Sequence, residues 1–239
     1  MKKYHVIIGH FGSGKSEFSL NIAFNEAAKG KKITLVDLDI VNPYFRTAER
    51  HEEIEKAGIR LLMPSFVTSG VEIPALPAEI YSAFNDDSDL VIFDVGGDAA
   101  GAVALGQYYR FFSRIEKENL EVTYVFNARR PLSLDLESNL NIIQSIEIAS
   151  RIGIDNIINN TNLSQETTVR DLIDGYELAK QISDKTKLPV RNTISTEKIL
   201  DEFKAYAETN GLDRAYIGEY YPIVRYMHRD WDRYTTEGL

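Results

Sequence analysis

Residues 4–17 read YHVIIGHFGSGKSE, and this stretch decides the fold. Gly9 to Ser16 match the pattern G-x-x-x-x-G-K-[ST] at every fixed position. The apolar run Val6-Ile7-Ile8 comes directly before the match, and a segment that suits a helix follows it. Backbone N–H groups can converge on an anion only where no bulky Cβ atoms intervene, and the end of a helix adds its positive dipole. The stretch therefore predicts a phosphate-binding loop (P-loop).

Each residue type in the loop suits one part of a nucleoside triphosphate. Lys15 places a compact charge near the β- and γ-phosphates, and the Ser16 hydroxyl is the expected Mg²⁺ ligand. The nucleotide-binding set predicted from the sequence covers the loop, the residue after it and two positions further along the chain: Gly9, Gly12, Ser13, Gly14, Lys15, Ser16, Glu17, Gly97 and Asn159.

Two carboxylates follow the second predicted strand, residues 33–36. Asp37 and Asp39 are two positions apart, so in an extended segment they point to the same face. Carboxylates at the carboxyl end of a strand beside a P-loop can hold Mg²⁺ or orient the water that attacks the γ-phosphate. We therefore predict Lys15 and Asp39 as catalytic residues and Asp37 as part of the metal shell. A plainer alternative is that Asp39 only caps the turn at Asn42-Pro43.

A further apolar strand, residues 89–94, ends in Asp94-Val95-Gly96-Gly97-Asp98. An acid at the end of such a strand is typical of a Walker-B residue when a P-loop precedes it. Asp94 therefore completes the predicted magnesium ligands, which are Ser16, Asp37 and Asp94. Gly97 lets its backbone N–H approach the γ-phosphate, as in a D-x-x-G switch.

Three asparagines close the predicted strand within residues 154–163. An Asn side chain carries a donor and an acceptor together, which suits the edge of adenine, and Asn159 is the predicted reader of the base. Asn-rich turns are also common between secondary-structure elements and need no ligand. Arg129 and Arg130 end the preceding strand and are either solvated or close to a phosphate.

The composition limits the function classes. The chain has 239 residues and a formal charge of −9, so its average surface repels nucleic acid and anionic lipid, and we predict neither as a partner. It has no Cys, which excludes disulfides, thiolate metal sites, iron–sulfur clusters and thiol catalysis. No signal-peptide or membrane-span pattern is present, which predicts a cytoplasmic protein. We predict a single domain over residues 1–239.

The chain resembles the MinD/ParA/CobQ-type P-loop NTPases of the SIMIBI class in the order of four blocks. The resemblance implies an α/β fold of three layers, with a mostly parallel sheet and helices on both faces. It also implies ATP rather than GTP, Mg²⁺, and a homodimer that forms on nucleotide. The blocks are GHFGSGKS (9–16), VDLDIVNPYFR (36–46), VIFDVGGD (91–98) and IINNTN (157–162).

One departure from the family pattern lies in the loop itself. Many members carry a second lysine immediately after the first glycine and use it across the dimer interface. His10 stands at that position, and Phe11 replaces a usual glycine. The chain is therefore predicted to be a divergent member without the signature lysine, and its cross-dimer lysine contact is not expected.

Three functions fit these features. The first is a Mg-dependent ATPase that acts as a conformational switch or accessory factor for an unidentified protein client. The second is a biosynthetic kinase or ATP-dependent ligase, whose small-molecule acceptor would bind at residues 64–77 or near His5, His51 and His228. In the third, the nucleotide is a structural ligand that gates a protein partner. We expect the first, with slow turnover, because neither an acceptor-binding motif nor an in-chain arginine finger is identifiable.

Overall fold

The protein contains a central parallel sheet, seen in a computed structural model that describes residues 3–39, 51–63 and 78–227. Its strands within these ranges are β1 (Tyr4–Ile8), β2 (Ile33–Leu38), β3 (Arg60–Leu62), β4 (Leu90–Val95), β5 (Leu120–Phe126), β6 (Asn156–Asn159), β7 (Val190–Ser195) and β8 (Glu219–Pro222). They form one sheet in the order β3-β2-β4-β1-β5-β6-β7-β8, and every neighbouring pair is parallel. The strand before the P-loop, β1, lies between β4 and β5.

The central strands are apolar because both of their faces are covered. Every residue of β1, β2, β4, β5 and β6 is buried. Side chains alternate between the two faces: Val6 and Ile8 belong to one core cluster, and Ile7 belongs to another. Burial on both faces explains why these strands read as continuous apolar runs.

Helices lie on both faces of the sheet. The helices within the described ranges are α1 (Lys15–Ala27), α2 (His51–Lys56), α3 (Ala99–Gln107), α4 (Tyr109–Phe112), α5 (Leu136–Ser150), α6 (Val169–Thr186) and α7 (Glu197–Asn210). Helices α1 and α2 pack on one face, and α3, α4, α5 and α6 contribute to the core on the other. A third cluster joins α6 to α7. The predicted three-layer α/β fold is confirmed.

Two parts of the chain differ from the predicted elements. A single helix is predicted over residues 99–117, but the structure breaks it at Tyr108, whose fully buried ring lies 6.0 Å from the ring of Phe84. Burial of this large ring outweighs the continuity of the helix. The predicted helix over residues 77–84 is a 3-10 helix at Ala78–Phe84.

The end of the described chain contributes an edge strand that the sequence analysis did not predict. β8 pairs with β7, and residues 223–227 continue from it across α1. We call residues 223–227 the strap. No helix in the described part of the chain is both long and apolar enough to cross a membrane. The prediction of a single domain over residues 1–239 stays a prediction.

Candidate functional site

The P-loop joins β1 to α1 in a conformation that depends on glycine. Gly9, Gly12 and Gly14 all have positive φ angles, and Gly14, at φ +93°, is the residue before the first turn of α1. A Cβ at Gly14 would lie 2.0 Å from Nδ2 of Asn160, so the position excludes a side chain on steric grounds as well. The motif match and the fold therefore agree on where an anion-binding loop should be.

Lys15 and Ser16 begin α1 and are almost fully buried, at 2% and 7% exposure. The Lys15 ammonium donates a hydrogen bond to the carbonyl oxygen of His10 at 3.0 Å. This bond folds the side chain back over the loop, where its charge faces the concave side. A positive charge and the N-terminus of α1 thus converge on one spot.

Three aspartates gather at the carboxyl end of the neighbouring strands. Asp37 and Asp94 are register partners on β2 and β4, with exposures of 1% and 3%. Asp37 Oδ1 accepts a hydrogen bond from the backbone N–H of Asp39 at 2.8 Å, and Ser19 Oγ donates to Asp94 Oδ1 at 3.4 Å. Asp39 is itself 6% exposed. The structure therefore brings the predicted catalytic and metal-binding carboxylates together.

The donor set fits a hard divalent cation. Two buried carboxylates on adjacent strands repel each other when both are ionised, and a cation between them offsets that repulsion. Carboxylate and hydroxyl oxygens are the ligands that Mg²⁺ prefers. Ser16, Asp37 and Asp94 are therefore the residues that would hold Mg²⁺, and they stay the predicted ligands.

Gly97 packs directly against the P-loop. Its carbonyl oxygen accepts a hydrogen bond from the N–H of Phe11 at 3.1 Å, and a Cβ on Gly97 would lie 2.4 Å from that nitrogen. The next residue, Asp98, caps α3 by accepting from the N–H of Gly101 at 2.8 Å. The segment after β4 is thereby coupled to the loop on one side and to a helix on the other. A movement of the loop would be transmitted to α3.

A cavity of about 530 Å³ opens from the P-loop towards the ends of β6 and β7. It is bounded by the loop, the turn after β5, the segments after β6 and β7, and the strap. Its charged lining residues are four cations and one carboxylate, although the chain carries a net charge of −9: Lys15, Arg130, Lys198, Arg225 and Glu17. A local excess of positive charge in an acidic protein favours an anionic ligand.

The asparagines at the end of β6 have two different environments. Asn159 is fully buried under α6, where a Cβ on Gly175 would lie 2.4 Å from its Oδ1. Asn160 and Asn162 line the cavity instead, and Asn160 Nδ2 donates to the carbonyl oxygen of Ser13 at 2.7 Å. The structure thus places the predicted base reader, Asn159, outside the lining and its neighbours within it.

The two arginines after β5 have separate environments. Arg129 donates to Asp171 and Asp174 on α6, both at 2.6 Å. These contacts raise the pKa of the Arg129 guanidinium above its usual value, led by the hydrogen bond to Asp171. Arg130 is exposed, lines the cavity and donates from Nε to the carbonyl oxygen of Gly12 at 2.9 Å. One arginine therefore anchors a helix, while the other lies against the P-loop.

The residues considered for an acceptor site are not brought together in the part of the chain that the structure describes. His5 is buried near the start of β1, the end opposite the P-loop, and bonds Thr123 Oγ1 at 2.8 Å. His51 is on α2, with Nδ1 3.6 Å from Glu55. Residues 64–77 and His228 lie outside the described residues, as does the Asn42-Pro43 turn.

Comparisons with solved structures support the predicted α/β fold with a central parallel sheet. FtsY from Mycoplasma mycoides superposes with a TM-score of 0.57 at 17% identity, covering 89% of this chain and 69% of that one. The signal recognition particle receptor FtsY from Elizabethkingia anophelis in complex with GDP gives 0.54 at 17% identity, covering 84% and 60%. No family model matches the chain, and no curated protein matches it either. Membership of the MinD/ParA/CobQ branch stays a prediction.

Three parts of the cavity lining were not predicted from the sequence. Asn160, the segment after β7 and the strap all line the cavity. The first could have been found from alternation along β6, because neighbours on a strand face opposite ways. The strap shows a weaker signal, because its apolar residues Ile223, Val224, Tyr226 and Met227 do not form a regular pattern.

Proposed function

We propose that this protein is a Mg-dependent P-loop nucleoside triphosphatase that uses ATP and acts as a conformational switch. The observation that carries the proposal is the cationic cavity that begins at Lys15 and Ser16 and extends past the ends of β6 and β7. Its volume of about 530 Å³ and its excess of cations suit a polyanionic ligand. The fold of the structural neighbours is consistent with this function, and the function itself rests on the residues of the site.

The chain's own residues supply the chemistry of phosphoryl transfer. The N–H groups of the loop and the Lys15 ammonium stabilise the charge that develops on the transferred group. Asp39 is the residue proposed to orient the attacking water or to accept its proton. Ser16, Asp37 and Asp94 are the residues that would hold Mg²⁺, and the ion would supply charge neutralisation at the phosphates. Burial of Asp39 beside Asp37 makes the carboxylate a positioned group rather than a solvated one.

The proposed use of ATP rather than GTP is supported by the side chains that line the cavity. Guanine presents two adjacent N–H donors that a carboxylate accepts as a pair, whereas adenine presents one donor beside one acceptor. The carboxylate among the described lining residues is Glu17, and both its oxygens accept backbone N–H groups of Tyr226 and Met227. The remaining polar side chains on this side include the amide of Gln165, which offers a donor and an acceptor together, as the edge of adenine does.

The switch has a structural basis in the coupling of Gly97 to the P-loop and of Asp98 to α3. Loss of the γ-phosphate would change the loop, and the segment after β4 would carry that change to the surface of α3. A protein client, a nucleotide-dependent homodimer without the signature lysine contact, and a cytoplasmic location belong to this proposal. Neither nucleic acid nor a membrane is proposed as a partner.

The proposal is tested by phosphate release from the purified protein with Mg-ATP and, separately, with Mg-GTP. We expect slow release from ATP and slower release from GTP. Lys15→Ala should abolish release because nucleotide binding is lost. Asp39→Ala should reduce release by about 100-fold or more while ATP still binds, since general-base or positioning groups contribute on that order.

A matched control is Asp87→Ala, which also removes one carboxylate but at a surface position where the side chain is 82% exposed. This variant should release phosphate at the wild-type rate. Faster release from GTP would overturn the choice of nucleotide. Tight ATP binding with no release would favour the nucleotide as a structural ligand, and release that begins only when small carboxylates are added would favour a kinase or ligase.

A further inference from the structure

The strap is held in place by side chains of α1. The Asn21 side chain forms hydrogen bonds with both backbone polar groups of Val224. Nδ2 donates to the carbonyl oxygen of Val224 at 2.8 Å, and Oδ1 accepts from the N–H of Val224 at 2.7 Å. One turn earlier on α1, the Glu17 carboxylate accepts hydrogen bonds from the N–H groups of Tyr226 and Met227. Side chains of a helix thus satisfy the backbone groups that a further strand would otherwise pair.

The strap presents two different sides. The ring of Tyr226 packs on that of Phe24 on α1, with centroids 4.7 Å apart. Ile223, Arg225 and Met227, at alternate positions, line the cavity. The strap starts beside the segment after β7, since the N–H of Ile223 donates to the carbonyl oxygen of Ser195 at 2.9 Å. Tyr226 therefore packs against α1, and the side chain of Val224 is exposed. Ile223 and Met227 line the cavity and also contact the core on the α1 face, which leaves Arg225 as the exposed lining residue between them.

Arg225 is the charged residue of this wall. It is exposed, and among the described residues no hydrogen bond or ion pair holds its guanidinium. In a chain of net charge −9, a cation without such a partner beside a cavity is a candidate for ligand contact. A planar guanidinium also stacks on aromatic rings, which a lysine ammonium does not do in the same way.

We propose that the strap forms the nucleoside-side wall of the cavity, with Arg225 stacking on the purine and Ile223 and Met227 packing at its edge. This inference rests on the proposed nucleotide-binding function, which it deepens by assigning the contact with the base. Glu17 has a positioning role, because its carboxylate fixes the backbone that carries Arg225 and Met227. The contact is distinct from the phosphate contacts of the P-loop.

The test separates the two halves of the ligand by titrating the full-length protein with Mg-ATP and with Mg-tripolyphosphate. Arg225→Ala should weaken ATP binding about 3- to 30-fold, as expected for a stacked cation, and leave tripolyphosphate binding unchanged. Arg225→Lys should recover part of the loss. Arg110→Ala, an equal change of charge at an exposed position on α4, should alter neither affinity.

A substitution at Glu17 provides a second test of the same contact. Glu17→Ala should weaken ATP binding by a similar factor and spare tripolyphosphate, and combining it with Arg225→Ala should add little, because both changes remove the same contact. An equal loss of ATP and tripolyphosphate affinity in Arg225→Ala, or no loss of either, would overturn the assignment. A wild-type protein that binds neither ligand would instead show that the proposed function itself is wrong.

Discussion

The two ends of the cavity are built in different ways. The end at the P-loop, where we propose that the phosphates bind (the phosphate end), is formed mainly by one stretch of sequence, and its key side chains, Lys15 and Ser16, are buried at the start of α1. The other end, where we propose that the nucleoside binds (the nucleoside end), is formed by segments after β6, β7 and β8, and its charged residues, Lys198 and Arg225, are exposed. The first end is fixed by local backbone geometry, and the second depends on packing between distant parts of the chain.

The largest expected effect is at the phosphate end, where Gly14→Ala should reduce ATP affinity by about 100-fold or more. The new Cβ would meet Asn160 Nδ2 at 2.0 Å, and φ at this position is +93°. Backbone strain and the loss of the hydrogen bond to Ser13 would then add. Calorimetric titration with Mg-ATP measures the change.

Gly30→Ala is the matched control for that substitution. Gly30 also has a positive φ, +80°, but a Cβ there would meet nothing within 4 Å. It should lower the free energy of unfolding by about 1 kcal/mol and leave ATP affinity unchanged. Equal ATP affinities in the two variants would show that the loop does not depend on the Gly14 conformation.

An intermediate effect is expected where the two ends meet, at the pair Asn159 and Asn160. Asn160→Ala should weaken ATP binding about 5- to 10-fold, because it removes the hydrogen bond that holds the carbonyl of Ser13 in the P-loop. Asn159→Ala should mainly lower the midpoint of urea unfolding, since its side chain is buried against Gly175. A selective loss of adenine over guanine nucleotides in Asn159→Ala would restore Asn159 as the base reader.

Asp171→Asn is expected to have the smallest effect on ATP affinity. Its effect on the free energy of unfolding should be measurable. Burial raises the pKa of the Asp171 carboxyl, but hydrogen bonds from the backbone of Thr168 and from Arg129 outweigh it, so the pKa is lowered overall. A carboxyl with a lowered folded-state pKa stabilises the protein above its ordinary pKa, and this contribution disappears as pH falls through the folded-state value. The substitution should therefore cost about 2 kcal/mol at neutral pH.

Urea unfolding of the wild type and Asp171→Asn between about pH 3 and pH 8 checks this sign. The difference in the free energy of unfolding should be constant above about pH 5 and shrink below about pH 4. Asp174→Asn is the control, because Asp174 is 30% exposed and does not cap α6. It should cost less than Asp171→Asn at every pH. A difference that grows on acidification would contradict the assigned role.

The layered fold and the position of the P-loop could be predicted from the sequence because both depend on local patterns. The P-loop motif predicts the backbone geometry of the loop. The apolar runs of β1, β2 and β4 indicate that both faces of the sheet are covered. The neighbouring positions of Asp37 and Asp94 followed from the rule that parallel strands end at one edge.

The nucleoside end could not be predicted in the same way. Asn159 and Asn160 are the same residue type in adjacent positions and both are buried, and only the placement of α6 and of the P-loop decides which one lines the cavity. The strap depends on hydrogen bonds between residues about two hundred positions apart, such as Asn21 and Val224. Nothing in the local sequence of either segment specifies that pairing. The break at Tyr108 has the same origin, since it depends on the distant ring of Phe84.

The order of the strands has a consequence for how the protein acquires its site during folding. β1 carries the P-loop and is made first among the described strands, yet its partners β4 and β5 pair Tyr4 with Val91 and Leu120. Contacts so distant in sequence form slowly, because the loop between them must close first. The strap is made after all the described strands and bounds the cavity by binding back to α1. During synthesis, the P-loop can therefore assemble before the proposed base-side wall exists, and discrimination between nucleotides would be acquired later than phosphate binding.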